Sequence, residues 1–102
     1  MHLVQILLPI TDNYGVPFGE PLFAEVRRDL TQRFGGVTAY MRAPATGLWT
    51  APTGHVDRDE VVIVEVMVDA IDRDWWKGYR NELSGRFQQR ELVIRSMPIE
   101  ML

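Results

Sequence analysis

The sequence predicts an α+β fold in which a four-stranded antiparallel sheet carries two helices on one face. Three observations lead there. Apolar residues run or alternate as in strands in several short segments, and recur at helical spacing in two longer ones. The elements so marked follow the order strand, helix, strand, strand, helix, strand. The two halves of that order also align with each other, as an internal duplication would.

Leu3 to Ile10 is an apolar run interrupted by Gln5 and ended by the turn signal Asp12-Asn13-Tyr14-Gly15; it reads as a buried strand. Pro21 suits the first position of a helix. Leu22, Val26, Leu30 and Phe34, with Phe23 beside them, then repeat at helical spacing until Gly35-Gly36 stops the helix. Val37 to Ala43 is strand-like. Leu48 to Ala51 and His55 to Asp57 flank Pro52-Thr53-Gly54, a favourable type I turn, so a hairpin is expected there. Val61 to Val68 is β-branched apart from Glu65 and Met67 and gives the strongest strand signal. Asp69 or Asp72 can cap a second helix whose apolar stripe is Trp76, Tyr79, Leu83 and Phe87. Glu91 to Met97 is the last strand, closed by Pro98. "DLTQRFGGVTAYMR" (29–42) and "ELSGRFQQRELVIR" (82–95) align without gaps, matching at the leucine, the Arg-Phe pair and the final arginine. The whole is a ferredoxin-like βαββαβ sandwich occupying residues 1–102 as a single domain.

Bulk properties limit the function classes. A chain of 102 residues that is 46% hydrophobic supports one core and one domain. With no cysteine, disulfides, thiol catalysis and thiolate metal sites are excluded. The net charge is −3 and the eleven basic residues are scattered along the sequence, which gives no footprint for nucleic acid. The apolar run at the N-terminus is too short for a membrane span and has no basic segment before it, so a cytoplasmic protein without membrane association is expected. No glycine-rich phosphate loop is present, and Ser84 and Ser96 have no histidine at a spacing that suggests a hydrolase triad. No cofactor and no metal are expected.

The strands are more apolar than one covered face requires. Val4, Ile6, Leu8 and Ile10 form one face of the first strand, and Val62, Val64, Val66 and Val68 one face of the third. Leu3 and Leu7, with Val61, Ile63 and Met67, make the opposite face apolar as well. Two helices can cover only one of these, so the second predicts an interface, most economically a homodimer packed sheet to sheet. Gln5 and Glu65 interrupt that second face. A carboxylate buried there needs a partner or takes up a proton. It reads either as an ion pair with Arg42 or Arg95, or as a general acid/base or ligand anchor.

The remaining candidates gather at the hairpin. His55, Asp57 and Asp59 alternate as on a strand, and a histidine beside a carboxylate can act as base and orienter; a solvated hairpin tip is the competing reading. Trp49 on the hairpin and Trp75 beside the helical stripe can wall a pocket for a flat ligand or simply cover the core. The candidate ligand-binding set is therefore Trp49, His55, Asp57, Gln5, Glu65 and Trp75, with His55 and Glu65 the candidates for catalysis.

Gly47-x-Trp49, Gly54 and Arg58-Asp59 before a β-branched strand, preceded by a helix ending in Arg33-Phe34, resemble an uncharacterised bacterial family known only as a domain of unknown function. The resemblance spans about residues 20 to 68 and implies the fold and the hairpin without an activity. More broadly, the layout is similar to the dimeric α/β-barrel group, which includes cofactor-independent monooxygenases and isomerases. The expectation is thus a small dimeric module that binds a small apolar or aromatic ligand; the alternative is a small cofactor-independent enzyme with a pocket beside the sheet. A third reading is a subunit whose apolar sheet face awaits an unrelated protein.

Overall fold

The computed structural model describes residues 1–35, 40–41, 45–50 and 56–102, with side chains described outside 36–60. The architecture is α+β: two helices pack on one face of an open antiparallel sheet. Its elements are β1 (His2–Pro9), α1 (Glu20–Phe34), β2 (Tyr40–Met41), β3 (Ala45–Thr50), β4 (Val56–Val68), α2 (Arg73–Arg86) and β5 (Ile94–Pro98). β1 pairs with β4 on one side, from His2 opposite Val68 to Pro9 opposite Val61, and with β5 on the other, from His2 opposite Pro98 to Ile6 opposite Ile94. β2 and β3 both pair with β4 along its remaining edge. Met41 faces Val64 and Ala45 faces Val61, so the register along that edge shifts by one residue between the two segments.

Period-two and helical patterns converge on one core. Val4, Ile6 and Leu8 of β1 and Val64, Val66 and Val68 of β4 meet Phe23, Val26 and Leu30 of α1 and Trp76, Tyr79 and Leu83 of α2, all buried. Each such side chain contributes roughly 1.5–3 kcal/mol on leaving water. The alignment that matches Phe34 with Phe87 also matches Phe23, Val26 and Leu30 with Trp76, Tyr79 and Leu83. Both helices therefore present the same stripe to the same sheet face. Asp72, the nearer of the two acids expected to cap α2, accepts a hydrogen bond from the Trp75 backbone N–H at 3.1 Å. α1 has Pro21 in its first turn and Gly35 at its end, with φ of 64° in the left-handed region that glycine adopts without strain.

Two boundaries differ from the sequence expectation. The segments expected as separate strands, from His55 to Asp57 and from Val61 to Val68, form one strand from Val56 onward, with Asp57-Arg58-Asp59-Glu60 inside it. Pairing with β3 explains this, since a charged stretch has no apolar pattern to announce a strand yet forms a ladder when a partner lies alongside. His55 and the expected turn at Pro52-Thr53-Gly54 lie outside the described residues, as does most of the expected strand from Val37 to Ala43. The last strand begins at Ile94 rather than Glu91, although Leu92 is buried and the Leu7 N–H still donates to the Val93 carbonyl at 3.0 Å.

α2 closes with the paired bonds of a Schellman motif: the Gln89 N–H donates to the Ser84 carbonyl at 2.9 Å and the Gln88 N–H to the Gly85 carbonyl at 3.3 Å. The residue that turns the chain is Gln88, with φ of 53°, a conformation that costs an L-residue with a Cβ about 1 kcal/mol. Replacing Gln88 with glycine is expected to stabilise the protein by about 0.5–1 kcal/mol in urea denaturation; a loss of stability would contradict this account of the helix end.

Candidate functional site

Gln5 sits at the middle of β1, with Glu65 directly opposite on β4 and Arg95 directly opposite on β5. The register therefore lines three polar residues in one row across the sheet, on the face away from the helices. Tyr40 holds the next register position, opposite Glu65 on β2. The Gln5 side-chain amide donates from Nε2 to Glu65 Oε1 at 2.8 Å, and its Oε1 accepts from Arg95 Nε at 2.8 Å. Carbonyl toward guanidinium and NH₂ toward carboxylate is the one amide orientation that satisfies both charged neighbours. The row is an ion pair relayed through an amide.

Glu65 is fully buried and Gln5 is 7% exposed, while Leu3, Leu7, Val61, Ile63 and Met67 beside them are half-buried. At its centre, then, the second sheet face is already withdrawn from solvent. Toward the β5 edge it is not: Val93 and Met97 are exposed. Arg95 has its Nε committed to Gln5 and its side chain in solvent, so the remaining edge of the guanidinium faces outward as a planar donor pair. The sequence pointed to Gln5 and Glu65 because both break an apolar face, and to Arg42 or Arg95 as a partner for the carboxylate; Arg42 lies outside the described residues. The intermediary role of Gln5 depends on strand register, which no single strand reveals.

The other expected site residues distribute differently. Trp49 and Asp57 are directly opposite each other on β3 and β4, and His55 lies outside the described residues. Trp75 lies in the helix layer, on the other side of the sheet from Gln5 and Glu65. Its ring stacks on Tyr79 with centroids 5.0 Å apart, meets Trp76 edge-on at 4.8 Å and Phe34 edge-on at 5.3 Å, and carries the Arg33 guanidinium 5.1 Å from its centroid.

Beside it, Asp29 joins the helices. The Tyr79 hydroxyl donates to Asp29 Oδ2 at 3.1 Å, Arg86 Nη1 donates to the same oxygen at 2.7 Å, and Arg86 Nη2 donates to Glu82 at 2.6 Å. Burial, then the Asp29 charge and hydrogen bond, hold the Tyr79 phenol well above its usual 10.0. Burial works against the charged form of Arg86, but its bonds to Glu82 and Asp29 outweigh that and raise its pKa. These groups bond to one another, as a clamp between α1 and α2 does.

No family model matches the chain, including at the Gly47-x-Trp49 segment, and no curated protein matches it significantly. Solved structures do. A phage SAM lyase in complex with S-methyl-5′-thioadenosine superposes with a TM-score of 0.61 at 12% identity, over 94% of this chain and 79% of that one. A phage SAM lyase in the apo state gives 0.60 at 13% identity, over 94% and 78%. At such identities the likeness is one of fold.

Two outcomes are expected. Glu65→Ala removes a buried side chain and leaves the Gln5 amide without its acceptor, so urea denaturation should show a loss of about 2–4 kcal/mol; a loss below about 1 kcal/mol would contradict the relay. Because the folded Tyr79 pKa lies above its unfolded value, its contribution is present below about pH 10 and declines as pH rises further. The fall in stability above pH 10 should be shallower in Tyr79→Phe; an unchanged slope would contradict the clamp.

Proposed function

We propose that the chain is a self-associating, small-molecule-binding module on the ferredoxin-like βαββαβ plan, with β2 and β3 serving together as one interrupted edge strand. Its ligand site lies on the sheet face opposite the helices. One observation carries this reading: a fully buried carboxylate at the centre of an apolar face, tied through Gln5 to a guanidinium that still faces outward. Structural sheets gain little from such a row, because replacing buried ion pairs with apolar side chains is often neutral or stabilising. Its use is to fix the Arg95 fork beside an apolar seat, where it can take a ligand carboxylate while the ligand body rests on Leu3, Leu7 or Met67. The fold neighbour solved with S-methyl-5′-thioadenosine supports a small ligand with an aromatic body.

Self-association follows from the same face. Half-buried Val61, Ile63 and Met67 run on to exposed Val93 and Met97, and a two-fold related copy is the economical cover for such a patch. Trp49 and Asp57, opposite each other on β3 and β4, are proposed to border the interface or the mouth of the ligand site, and His55 is proposed to join them. A second reading, a small cofactor-independent enzyme using Glu65 or His55 as base, draws on the fold neighbours being named a lyase.

Native mass spectrometry at micromolar concentration is expected to show a dimer, converted to monomer by Val93→Glu with Met97→Glu; a monomeric parent protein would contradict self-association. In calorimetric titrations with SAM and S-methyl-5′-thioadenosine as probes, Arg95→Ala should weaken SAM, which carries a carboxylate, at least tenfold while sparing the thioadenosine. Absence of binding by both would contradict the ligand assignment. Turnover of SAM that Glu65→Gln abolishes would favour the enzyme.

A further inference from the structure

A recess lies on the helix side of the sheet, at the seam between α2 and β5. Arg73, Lys77 and Arg80 are spaced four and three residues apart, which puts them in one arc of the helix surface. All three line a cavity of about 230 Å³ whose other walls include Trp76, Ile94 and Ser96. Among the described residues none of the three forms an ion pair, whereas the neighbouring Arg33 and Arg86 both do. Acidic residues of α2 sit elsewhere: Asp74 and Glu82 line the recess on the far side of the helix, next to Asp29. Charge is thus segregated around α2 in a chain whose net charge is −3.

The stripe is unfavourable for the helix alone. Like charges at this spacing repel by about 0.2–0.5 kcal/mol per pair, and Arg73 occupies the first turn, where the helix dipole favours acids. β5 adds donors. Leu7 pairs with Val93 and Met1 with Ile99 through ladder bonds, so by alternation the backbone groups of Ile94 and Ser96 point to the open edge of the sheet. An opening with three unpaired cations, a hydroxyl, outward backbone N–H groups and an apolar floor of Trp76 and Ile94 matches one ligand class.

We propose that this seam binds a small organic anion, a phosphate monoester or carboxylate on a compact aromatic or branched apolar body. The anionic group lies among Lys77, Arg80 and Arg73, and the body enters against Trp76 and Ile94. The volume is below the usual range for drug-sized ligands and suits a single ring. The site shares no residue with the Arg95–Gln5–Glu65 row and stands whether or not that row binds a ligand.

Phenyl phosphate is the probe, titrated into the full isotope-labelled chain and followed by the Trp76 indole and the Ile94 and Ser96 amides in NMR spectra. Saturable shifts at these three positions are expected. Lys77→Glu with Arg80→Glu should weaken binding at least tenfold, and so should the milder Lys77→Gln with Arg80→Gln, which guards against misfolding of the first variant. Inorganic phosphate should bind at least tenfold more weakly than phenyl phosphate, since it lacks the body that meets the floor. No saturable shift in the parent protein, undiminished binding in the charge variants, or equal binding of inorganic phosphate would each overturn the proposal.

Discussion

The antiparallel pairing of β1 with β4 is the constraint on which everything else hangs. Eight residues of each strand match one to one, and a shift of one residue would turn the apolar set of one strand, either Val4, Ile6 and Leu8 or Val64 and Val66, away from the helices. The same register that gathers those side chains under α1 and α2 sets Gln5 opposite Glu65, and pairing with β5 then sets Arg95 opposite Gln5. Core and polar row are two consequences of one alignment. A carboxylate withdrawn from solvent is tolerable there because an amide donor sits across from it at 2.8 Å.

The two faces of the sheet hold their polar groups in different ways. On the helix side, Asp29, Tyr79 and Arg86 bond among themselves and fasten α1 to α2 at the rim of the core. On the other side, the row ends in a guanidinium that projects outward. The α2–β5 seam adds a third arrangement, three cations that form no ion pair among the described residues. A closed network reads as structure, and an open one as a place for something else to bind; that contrast separates the clamp from the two candidate sites.

Much of the fold was legible in the sequence. The stripe of Trp76, Tyr79, Leu83 and Phe87, the Asp72 cap and the alternation of β1 and β4 follow from spacing, because each depends on residues near one another in the chain. What escaped depends on pairing between distant segments. Arg58 to Glu60 join the two expected strand segments into β4 only because β3 lies beside them, and the amide relay exists only once three strands are in register. The basic seam was hidden for a related reason: Arg73, Lys77 and Arg80 look scattered in a list of eleven basic residues, and only the helix turn and the neighbouring β5 bring them to one cavity. Trp75, beside the helical stripe, suited packing first and a pocket wall second, and it is the ring of Phe34 from α1 that places it in the interhelical cluster.

The most direct test of the central register is the Gln5 side chain itself. Its NH₂ protons can be followed by NMR hydrogen exchange in the intact protein. With Nε2 bonded to a buried carboxylate, at least one of them should exchange orders of magnitude more slowly than a free glutamine amide and should show a nuclear Overhauser contact to Glu65. Exchange at the rate of a free side-chain amide, with no contact to Glu65, would mean that the row does not form and that the face opposite the helices is organised in another way.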